Sequence, residues 1–167
     1  MGRLGGIIPL GKGYAGNPGG GVALDVGFWW EKGHLGVEPR VGVRFDAVPN
    51  NSAKYTEVPL DVGAFFLVTR GDVVPYLGGG VGARYFSERK VEKLTVGAVL
   101  PATSELTYDD AAWGVGLYAR LGLMLKASSH GHTKTKICFI ADYNVAFVTV
   151  NGFKNPTSVV LAASVIF

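Results

Sequence analysis

Six charged residues of this 167-residue chain fall at spacings that set an acid beside a base: Asp25 and Arg40, Asp61 and Arg84, Arg120 and Asp142. Each pair straddles a turn signal. A symmetric turn at Glu31-Lys32-Gly33-His34 puts Asp25 directly across from Arg40. With Arg70 opposite Val73, Asp61 faces Gly82 and lies diagonal to Arg84, and a turn centred on Gly131 sets Arg120 opposite Asp142. Glu38, Arg44, Tyr118 and Asn144 share the same strand faces and extend the set. Enclosed charges have to pair, because an unpaired one costs several kcal/mol. Two kinds of chemistry follow from such a layer: a satisfied polar plug, or a gate on a narrow ion or water path.

Other reactive side chains offer less. His34, His130 and His132 all fall in short turns, where His130-Gly131-His132 reads as an exposed polar segment rather than a metal centre. The single Cys138 forms no intrachain disulfide and reads as a small buried residue. The Gly78 to Gly82 run lies inside a strand with no helix after it, so it is no phosphate-binding loop. No metal, cofactor or catalytic set is expected, and the chain reads as a non-enzyme. Net charge is +3 with a pI near 9.0, but Lys and Arg are scattered singly, which argues against a nucleic-acid partner.

Alternation of period two positions these residues almost everywhere. Apolar rows run through Val22, Leu24, Val26, Phe28 and Trp30, then through Leu35, Val37, Pro39, Val41, Val43 and Phe45. Further rows span 57–68, 73–85, 115–126, 137–147 and 159–167, and a first strand is assigned to 3–14 to pair with the second. That makes eight strands. Charge-free stretches stop at the 13 residues from Asn155 to Phe167, well short of the ~18 needed for a spanning helix. The joints after the second, fourth and sixth strands are short, and the others are longer. The longest, at about 87–112, is read as a loop carrying Glu88, Arg89, Lys90, Glu92, Lys93, Glu105, Asp109 and Asp110, a candidate surface for a partner.

Volume decides which face is inside. Ten of the 25 glycines lie on the polar rows: Gly27, Gly36, Gly42, Gly63, Gly78, Gly80, Gly82, Gly114, Gly116 and Gly122. A water-facing strand surface has no use for them, since glycine weakens a strand and packs nothing. The narrow interior of an eight-stranded barrel does, wherever large polar side chains must fit. The expected fold is therefore all-β: an eight-stranded antiparallel up-and-down transmembrane β-barrel, a single domain over 1–167, with its apolar rows toward lipid. Phe28, Trp30 and Phe167 at one end, with Tyr14, Tyr55, Tyr85 and Trp113 at the other, are expected to form interfacial girdles.

Two segments resemble a known family, the small outer-membrane β-barrel proteins, the group of OmpX and the membrane domain of OmpA. One is Val74-Pro-Tyr-Leu-Gly-Gly-Gly-Val-Gly-Ala-Arg-Tyr85, similar to that family's Pro-Tyr-x-Gly-x-Gly-x-Gly strand. The other is Val159 to Phe167, whose alternation through Leu161, Ala163, Val165 and Phe167 is similar to the terminal signal read by the barrel-assembly machinery. The resemblance implies a Gram-negative outer membrane, periplasmic termini, and contact with outer-membrane lipid and lipopolysaccharide. It also implies a structural or surface-interaction role, with a protein partner reached through loops or barrel wall, including as a subunit of a larger envelope complex. The alternative is a narrow channel, or a lateral transporter of ions or small apolar molecules. Family enzymes that edit lipid A carry a His-x-Ser pair or a loop-side His, and this sequence has neither.

Overall fold

The computed structural model describes residues 1–10, 20–46, 53–96, 102–126, 135–150 and 153–167, and every element among them is a strand. In chain order these are β1 (Gly2–Leu10), β2 (Gly21–Gly27), β3 (Trp30–Lys32), β4 (Leu35–Asp46), β5 (Ala53–Leu67) and β6 (Val73–Val96). They continue with β7 (Ala102–Lys126), β8 (Lys136–Phe147), β9 (Thr149–Val150), β10 (Phe153–Lys154) and β11 (Thr157–Ile166). The main sheet runs β2-β1-β11-β8-β7-β6-β5-β4-β3, and β4 also pairs with β2, which closes it. Since β2 and β3 lie on β4 in one register, Val26 opposite Val41 and Trp30 opposite Val37, they are halves of one stave. The result is a closed, antiparallel, eight-stranded barrel, with β9 and β10 as a small separate hairpin. Closure removes the free sheet edges and pairs the backbone polar groups with one another along most of the staves' length.

Alternation sorts the side chains as the sequence pattern implies. Leu4, Leu24, Val41, Leu60, Val81, Leu117, Leu121 and Leu161 are exposed on the outer face, while the alternate, inward residues are buried or half-buried. The inward glycines make the space for what is buried. A Cβ on Gly122 would strike the Tyr76 ring, one on Gly116 the Arg84 side chain, one on Gly63 the Tyr118 hydroxyl and one on Gly42 the Asp25 carboxylate.

Two expected pairings appear directly: Asp61 opposite Gly82, and Arg120 opposite Asp142. The first hairpin differs. Lys32 pairs with Leu35, so the turn is only Gly33-His34, with Gly33 at φ 65°, a conformation glycine adopts without strain. That shorter turn moves the register by two residues, placing Asp25 opposite Gly42 and Arg40 opposite Gly27 rather than opposite each other.

The segment expected as a loop over 87–112 is mostly strand. β6 and β7 pair rung by rung from Val73 opposite Leu125 out to Val96 opposite Ala102. The turn signals needed to end those strands at Tyr85 and Trp113 are absent, and the ladder continues past both residues. The described part of the first strand is Gly2–Leu10, and the rest of its expected span, residues 11–14 with Tyr14, lies outside the described residues.

Two prolines that cannot donate to a ladder weaken the pairing of β4, Pro39 within it and Pro59 on the neighbouring β5. Pro39 faces β2–β3 where β2 gives way to β3, and Pro59 faces β4 where the β4–β5 pairing skips Gly42 and Val43.

Candidate functional site: the charged barrel interior

Seven staves contribute charged side chains to the lumen, because each presents alternate residues inward and the glycines beside them leave room. Asp142 on β8 is the hub. It accepts from Arg120 Nε at 2.6 Å and Nη2 at 2.8 Å, from Arg3 Nη1 at 2.8 Å and from Arg40 Nη1 at 2.9 Å. Arg120 Nη1 also reaches Glu38 at 2.6 Å, and Arg3 Nε reaches Asp25 at 2.6 Å. Asp61 accepts from Arg40 Nη2 at 2.8 Å and Arg84 Nη2 at 3.1 Å. Arg84 Nη1 continues to Glu57 at 2.5 Å, and Arg44 Nη1 meets the same carboxylate at 3.0 Å. Asn144 Oδ1 takes Arg44 Nη2 at 3.3 Å.

Five arginines, Arg3, Arg40, Arg44, Arg84 and Arg120, therefore share five carboxylates, Asp25, Glu38, Glu57, Asp61 and Asp142, in one connected network. Charge balance is what makes the burial tolerable, since removing one partner from such a set leaves an uncompensated ion. Tyr118 is wedged among the guanidinium groups, its ring centre 4.1 Å from Arg40 and 5.3 Å from Arg120, where its π face attracts the cations.

All ten residues expected in the interior network are buried and in it. Three more were not foreseen. Glu57 lies on the inward row of β5 with Pro59 and Asp61, and that parity was a sufficient signal. Tyr55, expected in an outer girdle, instead donates its hydroxyl to Glu57 at 2.6 Å and packs on Phe86. Arg3 had no such signal, because nothing in the polar stretch between β1 and β2 sets their register.

Apolar clusters bound the charged layer on both sides. Toward the short turns lie Phe65, Leu67, Val74, Tyr76, Met124, Cys138, Ile140 and Ile166, with Trp29 stacked 5.6 Å from Phe65. Toward the long hairpin lie Phe86, Ala146 and Val148. Cys138 is buried in the first cluster, as its parity implies. Among the described residues no three His, Cys, Asp or Glu side chains converge as a metal site, and His130 and His132 lie outside the described residues. His34 sits in the β3–β4 turn with Nδ1 2.6 Å from the Leu67 carbonyl.

The sequence matches no protein-family model and no curated protein. A solved structure does match. The fold is similar to that of Neisserial surface protein A. The two superpose with a TM-score of 0.72 at 16% identity, covering 98% of this chain and 92% of the Neisserial chain. At that identity the likeness to the Neisserial protein is one of fold.

The remaining sequence-read positions fall at the two ends. Leu161 and Ala163 are exposed on the outer wall, Val165 is half-buried, and Phe167 is exposed just past β11. In the long hairpin, Arg89 and Asp109 form an exposed pair at 3.7 Å, whereas Glu88 turns inward and is buried, opposite Asp110. Lys90, Glu92, Lys93 and Glu105 lie on the paired strands, facing Tyr108, Leu106, Glu105 and Lys93 respectively.

Proposed function

We propose that this protein is a non-enzymatic integral barrel of a bacterial outer membrane that presents the β6–β7 hairpin as an interaction surface. The observation that carries the reading is the inversion of the usual globular arrangement. Large apolar side chains such as Leu121, Phe28 and Trp113 coat the outside, while ion pairs fill the inside. A continuous apolar belt of this size is unfavourable in water and favourable in hydrocarbon. In this reading the termini and short turns face the periplasm, and β6–β7 rises on the outer side among lipopolysaccharide. The alternating Leu161, Ala163, Val165 and Phe167 then serve as the segment that the assembly machinery reads.

The interior supports a structural role over conduction. The layer of paired guanidinium and carboxylate groups is charge-balanced and lies between two apolar clusters, an arrangement that fills the interior rather than lining a path of one charge sign. Deleting Glu92 to Thr107 tests the surface role. The shortened protein is expected in the outer-membrane fraction with normal heat-modifiable gel mobility, and with loss of any captured envelope partner. Capture that survives the deletion places the interaction elsewhere on the barrel, and a deletion protein recovered in the soluble fraction contradicts the membrane reading.

A further inference from the structure

Phe28 donates its N–H to the Pro39 carbonyl at 3.0 Å. Such an antiparallel rung normally exchanges two bonds, the second running from residue 39 back to the Phe28 carbonyl. Proline has no N–H to return. Among the described residues no backbone donor meets the Phe28 carbonyl, and the stave breaks there between β2 and β3. Wherever water is kept away, a carbonyl without a donor costs several kcal/mol.

The same place carries a groove on the outer wall, of about 590 Å³. Pro39 borders it, and its walls are Val26, Phe28, Val41, Leu60, Val62 and Val81. Arg40 and Asp61 lie behind it, but their side chains are fully enclosed and bound to each other, so they supply no donor to the outside. The groove is within the ~300–1,000 Å³ range of small-molecule sites. Bulk acyl chains satisfy its walls but bring no hydrogen-bond donor.

We propose that this groove binds an amphiphile with a long apolar body and a hydroxyl group, the body lying on the valines and leucine and the hydroxyl donating to the Phe28 carbonyl. The site selects alcohols over hydrocarbons of equal length, because only the alcohol completes the rung that Pro39 leaves open. The proposal rests on the outer wall facing lipid, and the test separates the two.

Trp30 lies two residues from Phe28 on the same outward face and is well exposed, so it reports occupancy. With Trp29→Phe and Trp113→Phe it is the one tryptophan left. A dibrominated long-chain alcohol and the dibrominated alkane of equal length are titrated into bilayers holding this protein. The alcohol is expected to quench Trp30 saturably at about a tenfold lower mole fraction than the alkane, a difference of ~1.4 kcal/mol. Pro39→Val restores the missing N–H, and Val81→Phe fills the groove from β6, which does not pair with β4; each is expected to erase the preference while heat-modifiable mobility is kept. Equal quenching by alcohol and alkane overturns the proposal and leaves the lipid-facing wall intact, as does a preference that survives both variants. No quenching by either compound overturns the wall's orientation along with the site.

Discussion

Arg3 Nη1 lies 2.8 Å from Asp142 Oδ2, joining β1 to β8 past the intervening β11 although the two strands share no ladder. β1 otherwise pairs only with β2 and β11, and it is a weak strand, carrying Gly2, Gly5, Gly6 and Pro9. Both Asp142 and Asp25 lean on the one guanidinium. The charge network thus holds the first strand as well as filling the interior.

Arg3→Ala is accordingly expected to destabilise the barrel by about 3–5 kcal/mol, since it leaves two enclosed carboxylates short of a cation. The urea midpoint of folded protein in lipid vesicles reads this. Adding Asp25→Ala is expected to recover part of the loss, because the orphaned charge goes with it. Arg89→Ala, which breaks an exposed pair, is expected to change stability by less than ~1 kcal/mol.

Glycine substitutions are expected to divide by face. Gly122→Leu drives a side chain into the Tyr76 ring and should remove the folded, heat-modifiable band. Gly2→Ala has open space around its Cβ and should leave the band unchanged.

Conductance across planar bilayers is expected to be silent for the wild-type protein and for Arg120→Ala. Phe65→Ala with Tyr118→Ala removes two rings of the aromatic stack and is expected to admit current, provided the double variant keeps its folded mobility. Steady wild-type current would contradict the plug.

Salt is expected to distinguish the interior pairs from the exterior ones. The side chains of Arg40, Asp61, Arg120 and Asp142 are fully enclosed, so raising ionic strength from about 0.1 to 1 M, which shortens the screening length to ~3 Å, should leave their contribution intact. A urea midpoint that falls steeply with salt would place the network in contact with solvent.

Much of this architecture was legible in the alternation. Parity assigned Leu121 outward and Arg120 inward, and the ten inward glycines identified the polar face as the enclosed one. Register was legible only where turn length was. The hairpins flanking Gly71 and Gly131 gave Asp61 opposite Gly82 and Arg120 opposite Asp142. The Gly33-His34 turn proved two residues tighter than a symmetric reading allowed, and Asp25 went to Arg3 instead of Arg40. Pairings across the long connections, such as Arg40 opposite Asp61, have no local signal at all, because barrel closure and shear set them. The β6–β7 hairpin was missed for a related reason. Polar composition reads as loop, but two polar strands can pair with each other through their backbones whatever their side chains face.

The placement of the apolar face is tested most directly by spin labels at Leu117, Ala119 and Leu121 on the outer row of β7, with Arg89 and Asp109 on the hairpin as references and Cys138 replaced by Ala. The β7 labels are predicted to relax faster with oxygen, which partitions into hydrocarbon, than with a water-soluble nickel chelate, and the two hairpin labels to do the reverse. Nickel-dominated relaxation at 117, 119 and 121 would mean that this wall faces water, and would contradict the account.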